Sequence, residues 1–373
     1  MKVLLISALY PPGGRGGAEK AASLLAESLA RSGDEVVVVS LHSGCEEIIE
    51  ERNGVRVYRL PIANVYWPFD LKEKKNPFTR MLWHMRDIWN GDAAAKVGRI
   101  LDLEKPDVVH THVLAGFSVA VWKEVKKRNI RLVHTMHDYY LFCIRSSMFR
   151  KRRVCVNQCV GCRVATSVRK ASSKRLDGVI SVSNYVLNCH KRSGYFEQVP
   201  TSVIYNVMDS FEDLPGEKDN LITDTLIFGY IGKIEEEKGI RIVLEATKYL
   251  SMQNWRLRIA GTGLNAYIKT LKDQFLDPRI EWCGFVDSRT FYGSIHVSII
   301  PSIWPDPLPY VVIETLSAGK SLICAESGGI PEIAALGAVV KTFPPADIPA
   351  LAQVMNHALL NGPLWRTGGF SNK

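Results

Sequence analysis

The sequence predicts an α/β protein of two successive domains, each a parallel sheet covered on both faces by helices. Short Val/Ile/Leu runs alternate with helical patterns up to residue 205, and the same alternation restarts after residue 225. The polar stretch 209–224 (DSFEDLPGEKDNLITD) between them reads as a linker. A chain of 373 residues is also long enough for two domains of ordinary size. The expected division is 1–208, a linker at 209–224, and 225–373, with a cleft between the domains.

Each element has its own signal. Residues 2–8 (KVLLISA) form a continuous apolar strand, and 17–32 place Ala18, Ala21, Ala22, Leu25 and Leu29 on one helical face that Gly33 ends. Strands follow at Val36–Val39, Val55–Leu60, Asp107–His110, Ile130–His134, Gly178–Val182 and Ser202–Tyr205. An aromatic-rich segment with Tyr66, Trp67, Phe69, Phe78, Trp83 and Trp89 interrupts them. After the linker come strand Leu226–Ile231, a helix from Gly239, strand Arg256–Ala260, a helix over 264–275 and strand Arg279–Trp282. Strand Val297–Ile300, a helix over 310–318, strand Ser321–Cys324 and a helix near 347–360 complete the series. The closing NGPLWRTGGFSNK shows no apolar periodicity.

No run approaches the ~20 apolar residues that cross a bilayer, which argues against an integral membrane protein. The opening MKVLLISALY runs into Pro11-Pro12-Gly13-Gly14 rather than a cleavage site, so it reads as a first strand and the protein as cytoplasmic. The net charge of +9 is concentrated: ten Lys and Arg, and no acid, lie between Cys143 and Arg175, while the rest of the chain is close to neutral. Such a segment suits a phosphate, an anionic lipid surface or nucleic acid, or is simply a solvated face. Its single ring, Phe149, argues against nucleic acid, which is bound by stacking on aromatics.

Three loops carry chemistry. P-P-G-G-R-G-G-A-E follows the first strand, and its glycines let backbone approach a ligand at a helix start. A dinucleotide fingerprint fits poorly, because Glu19 stands at the third glycine position and no acid ends the second strand. Lys233 and Lys238 bracket a strand-to-helix turn suited to a diphosphate, or are two surface lysines. Asp306 precedes a helix opened by Pro309 or Tyr310. Glu314 falls one turn into that helix on an apolar face, where it needs a sugar diol or a lysine as partner.

These pieces occur in the order of one family. P-P-x-x-x-G-G-A-E, D-V-V-H-T-H (107–112), H-T-M-H-D (134–138), G-K-I-E-E-E-K-G (232–239) and I-A-G-T-G (259–263) are followed by G-F-V-D (284–287), P-S-I-W-P-D-P-L-P-Y-V-V-I-E (301–314) and G-G-I-P-E (328–332). From Lys2 to about Lys341 the chain resembles the retaining GT-B glycosyltransferases of family 4. The resemblance implies two Rossmann-like domains facing across a cleft, with a nucleotide-sugar donor held mainly by the second. Lys233 and Lys238 would meet the diphosphate, with Lys233 at a position the family usually gives to Arg. Glu314 would hold ribose hydroxyls, and Asp306, usually Glu in the family, hexose hydroxyls. Backbone near Val286 would face the base. Gly16 and Gly17 would close on the donor, with Glu19 shaping that site, and His137 would orient sugar or acceptor. His137, Asp306 and Lys238 are thus the expected catalytic set; the bland alternative for His137 is a satisfied histidine at a strand end.

The implied reaction moves a hexose to a hydroxyl acceptor, lipid-linked or saccharide, with retention and without a catalytic metal. The leaving diphosphate takes the acceptor proton. Polysaccharide or glycolipid synthesis at the inner face of a membrane follows as the expected setting. Cys143, Cys155, Cys159 and Cys162 offer four thiolates for a structural zinc, although only C-x2-C is a standard spacing and free or redox-active thiols are the alternative. Similar clusters occur in a subset of the family. The family's final cross-over helix is not legible after 360, so a non-catalytic nucleotide-sugar binder is the rival function.

Overall fold

The computed structural model describes residues 1–14, 16–69, 75–150, 153–207 and 224–367. The chain divides into two compact units, Met1–Met148 with Cys155–Tyr205, and Asn206–Lys373 with the short segment Phe149–Val154. The expected linker at 209–224 lies, except for Asp224, outside the described residues.

The first unit is built on an eight-stranded sheet. Its order is Thr201–Val203, Gly178–Ser181, Arg131–Met136, Val108–Thr111, Lys2–Ile6, Glu35–His42, Val55–Pro61 and Ile48–Arg52. All neighbours are parallel except the last, which pairs antiparallel with Val55–Pro61. The central strands are continuous aliphatic runs because helices cover both faces: Leu4, Leu5 and Val37 to Val39 are fully buried. Ile48–Arg52 is an unforeseen element. Its Ile48 and Ile49 are exposed, so no buried alternation marks it in the sequence.

The second unit carries a six-stranded parallel sheet. Its order is Ile280–Gly284, Trp255–Ala260, Leu226–Ile231, Val297–Ile300, Ser321–Ala325 and Val340–Phe343. Its core gathers Phe228, Leu257, Ile299 and Ile323 of the sheet with Leu351 and Met355 of helix Ile348–Leu360. Part of the closing segment is helical although no apolar periodicity marks it. Helix Gly362–Arg366 buries Trp365 in this core, and the Trp365 carbonyl accepts from Ser321 Oγ at 2.8 Å.

Both sheets reverse direction at an inner strand. In the first unit the chain runs outward from Lys2–Ile6, then returns to Val108–Thr111 on the other side. In the second it runs outward from Leu226–Ile231 and returns to Val297–Ile300. Loops that leave the carboxyl ends of such strand pairs diverge and open a crevice where α/β proteins bind ligands. Among the described residues no helix is long and apolar enough to cross a membrane.

Candidate functional site

In the second unit, every predicted donor residue except Glu314 lies on a loop at the carboxyl end of a strand, and Glu314 lies on the helix that one such loop enters. Gly232 and Lys233 follow Leu226–Ile231, and a 3₁₀ turn, Glu236–Lys238, leads through Gly239 into helix Ile240–Ala246. Gly239 has φ +78°, and a Cβ there would lie 1.9 Å from the Pro301 carbonyl oxygen. The loop after Val297–Ile300 is therefore packed directly on the lysine turn. Ile303 N–H donates to the Glu237 carbonyl at 2.9 Å, tying the two loops together. Gly328 of G-G-I-P-E has φ +61° with the Asp306 backbone 2.1 Å from a would-be Cβ, and Gly329 N–H donates to the Asp306 carbonyl at 2.8 Å.

This clamp sets one ion pair. Lys238 Nζ donates to Asp306 Oδ2 at 2.5 Å and lies 4.8 Å from the centre of the Trp304 ring. Asp306 is buried, whereas the lysine keeps a quarter of its side chain exposed. The sequence reading gave these two residues separate ligands; the structure couples them directly. Glu314 sits in helix Tyr310–Ser317, buried, with Tyr292 Oη donating to its Oε2 at 3.5 Å. Lys233 is exposed, and Tyr230 Oη donates to its carbonyl at 2.6 Å. Val286 packs half-buried against Phe291, Tyr292 and Ile295, beyond the end of Ile280–Gly284.

In the first unit, Gly16 caps helix Gly17–Arg31, and Glu19 in its first turn folds back so far that a Cβ on Gly16 would meet its Oε2 at 2.4 Å. The start of this loop is anchored by Arg59, which donates to the carbonyls of Tyr10 at 3.0 Å and Pro11 at 2.6 Å. Beside it stands a cluster of four histidines from D-V-V-H-T-H and H-T-M-H-D, of which only His137 is expected from sequence to serve the site. His112 Nδ1 and His137 Nε2 share a hydrogen bond of 2.9 Å, and the ring centres of His110 and His112 are 4.3 Å apart. His110 Nε2 bonds Thr135 Oγ1 at 2.7 Å, and His134 Nδ1 bonds Thr111 Oγ1 at 2.9 Å. Burial holds His137 neutral, down at about 3, and His110 at about 4. His112 and His134 are pushed well down by burial and by their imidazole neighbours. His112 Nε2 is buried without a hydrogen-bond partner among the described residues. Burial raises the neighbouring Asp138 carboxyl to about 6, with Glu19 adding to the rise. The pairing of His112 with His137 was hidden because 25 residues separate them.

The basic segment needs one correction. Arg169 is not part of a solvated patch: it is buried, and its Nη2 donates to Asp87 Oδ2 at 2.9 Å, while Tyr140 Oη donates to the same oxygen at 2.8 Å. Arg145, Arg150, Arg153, Arg163, Lys174 and Arg175 are exposed. Of the four cysteines, Cys143 is buried and Cys159 exposed. Burial pushes the Cys162 thiol up to about 12, and the Cys159 and Cys143 thiols are near enough to act on it. Among the described residues, however, no three His, Cys, Asp or Glu side chains are arranged as a metal-holding group.

Comparison with known proteins follows the same division. Residues 15–210 match the family described as Glycosyltransferase Family 4, and residues 225–361 match Glycosyl transferases group 1. The chain belongs to glycosyltransferase family 4. This glycosyltransferase is 32% identical over 335 residues to a 42.6 kDa protein in the cps region of Klebsiella pneumoniae, covering 89% of this chain and 87% of that one. It is 26% identical to a glycosyltransferase of Methanocaldococcus jannaschii, over 89% of this chain and 82% of the other. Among solved structures, sucrose-phosphate synthase of Thermosynechococcus elongatus superimposes with a TM-score of 0.73 at 20% identity, covering 99% of this chain and 92% of that one. Anabaena HepE in complex with UDP gives 0.72 at 16% identity, over 99% and 93% of the two chains. At these identities the superpositions establish the GT-B fold of two Rossmann-like domains.

Proposed function

We propose that the glycosyltransferase moves a hexose from a nucleotide sugar to a hydroxyl of a lipid-linked or saccharide acceptor, with retention, in the cytoplasmic assembly of a surface polysaccharide or glycolipid. The observation that carries the donor assignment is the placement of Lys238, Asp306 and Glu314 on the loops and helix that follow the strands of one sheet's switch point. An ammonium group at a helix start suits a diphosphate, and buried carboxylates suit sugar hydroxyls. HepE of similar fold was crystallised with UDP and glucose, and the Klebsiella relative is encoded in a cps region. Both support the substrate class and the setting.

In this reading Lys233 and Lys238 stabilise the leaving diphosphate, which takes the proton of the acceptor hydroxyl as the new bond forms. Electrostatic stabilisation of that leaving group is then the main catalytic effect. Glu314 holds the ribose, Asp306 the hexose, and backbone near Val286 the base. Gly16, Gly17, Glu19 and His137 serve the sugar from the first unit. No metal takes part in the transfer. A structural zinc at Cys143, Cys155, Cys159 and Cys162 is supported by the C-x2-C spacing of Cys159 and Cys162 alone; elemental analysis showing no stoichiometric zinc would remove it.

A thermal-shift screen across UDP-, GDP- and ADP-sugars tests the donor site. A donor at a hundred times its Kd stabilises the folded chain by about 2.7 kcal/mol. Glu314→Gln and Lys238→Ala should each lower transfer by about two orders of magnitude or more without changing the far-UV spectrum. Wild-type turnover in both variants would refute the assignment. Donor binding without any sugar release would replace transfer with binding alone.

A further inference from the structure

His112 meets His137 head-on. Their ring planes differ by 20° and their centres lie 5.2 Å apart, while His112 Nδ1 and His137 Nε2 are 2.9 Å apart. These separations are those of two rings meeting edge to edge, in the plane of the hydrogen bond, where the lone pair and the N–H are aligned. His112 is held in that position from three sides. Its backbone N–H donates to the Ile6 carbonyl at 2.8 Å in the middle of the sheet, and the residue is only 4% exposed. The His110 ring, itself bonded to Thr135 Oγ1, lies 4.3 Å from it centre to centre.

Burial keeps both rings neutral, so the bond holds one proton between two nitrogens and admits two arrangements. With the proton on His137 Nε2, His112 must carry its own at Nε2, where it is buried without a partner among the described residues. With the proton on His112 Nδ1, the atom left without a partner is a bare nitrogen. Buried N–H groups that lack an acceptor are rarer in proteins than acceptors short of a donor, which favours the second arrangement. His137 Nε2 then accepts, and the proton of that ring sits on Nδ1. His137 is half-buried whereas His112 is buried, so Nδ1–H is the end of the pair left for a ligand. A neutral N–H donates to an oxygen and takes no proton from it. His137 is thereby suited to hold a sugar oxygen and unsuited to act as a base.

We propose that His112 is a positioning residue: it donates from Nδ1 to His137 Nε2 and so fixes His137 as an Nδ1–H donor to a substrate oxygen. The substrate contact rests on the proposed role of His137 in serving the sugar, but the pair itself is tested without transfer. Nitrogen NMR of the full chain, labelled at its histidines and assigned with His112→Asn and His137→Gln, should show both rings protonated at Nδ1. It should also show a coupling across the bond from His112 Nδ1 to His137 Nε2. A proton on His137 Nε2 overturns the proposal. Transfer supplies the second test. His112→Leu fills the buried space without bonding, whereas His112→Asn keeps an amide N–H close to the place of Nδ1 and packs less well. His112→Leu should lower kcat/KM about ten- to hundredfold, and His112→Asn should stay within about fivefold of wild type. The melting shift given by UDP, GDP or ADP alone should match wild type in both, since the proposed nucleotide contacts lie in the second unit. A packing role reverses the order of the two variants and overturns the proposal, as does wild-type transfer by His112→Leu. Normal transfer by His137→Gln instead refutes the proposed role of His137, and with it the substrate contact, whatever the NMR shows of the pair.

Discussion

The two units share a topology yet fill the ends of their sheets with opposite chemistry. At the first, four histidines are stacked and hydrogen-bonded out of water, and burial keeps them uncharged. At the second, an ammonium group and one carboxylate sit on loops clamped backbone to backbone, and a second carboxylate lies on the helix that follows. The same crevice geometry therefore offers neutral hydrogen-bonding groups in one case and fixed charge in the other. The fold determines where a ligand is met; the loop residues determine what kind.

The contrast is broken most severely by separating Asp87 from Arg169. Removing one member of a buried ion pair costs about 3–5 kcal/mol, because the other charge is left without a partner. Arg169→Ala should therefore lower the urea midpoint of the first unit, with intrinsic fluorescence resolving a second transition that does not move. A single shifted transition would show instead that the units unfold together.

Acid sharpens the same contrast. His110, His112, His134, His137 and His190 all have their basicity lowered by burial, His190 to about 4. As pH falls below about 6.5 the unfolded chain gains protons that the folded one refuses, so the stability these groups contribute is lost toward their folded values. Asp87 and Asp138, both raised to about 6, act the other way and favour folding more as pH falls from 6 toward 3.8. Five histidines outnumber two carboxyls. The first unit should lose stability between pH 6.5 and 4, and His137→Gln should flatten that dependence. Calorimetry across this range decides it.

The effect confined to the second unit is at its clamp. Gly328→Ala costs about 1 kcal/mol for the left-handed backbone alone, and its Cβ, 2.1 Å from the Asp306 carbonyl oxygen, also forces the two loops apart. The donor-induced thermal shift should shrink while the first unit melts as before.

Much of this architecture was legible in the chain. Central strands such as Glu35–His42 and Val297–Ile300 announce themselves because both faces are buried and their inner residues (36–41 in the first, all four in the second) are aliphatic or small. Val340–Phe343 was not legible, since Lys341 and Thr342 face solvent in a four-residue edge. Loop residues of the candidate site were readable from their motifs, but their partners were not. Lys238 and Asp306 are 68 residues apart, and Arg169 and Asp87 are separated by 82. The helix at 77–88 was visible only as an aromatic-rich stretch. Nothing in the sequence indicates that Trp83 and Asp87 take the inner side and leave Phe78 and Met85 outside.

The antiparallel strand Ile48–Arg52 has a consequence for behaviour at high concentration. A parallel sheet that ended at Val55–Pro61 would offer a seven-residue template for a strand from another molecule. The folded-back hairpin replaces that template with a shorter rim bearing Glu50, Glu51 and Arg52. The opposite rim, Thr201–Val203, has only three residues and follows Pro200. Charged or very short margins of this sort resist cross-β growth, so crowding should not drive this unit into fibrils through its sheet.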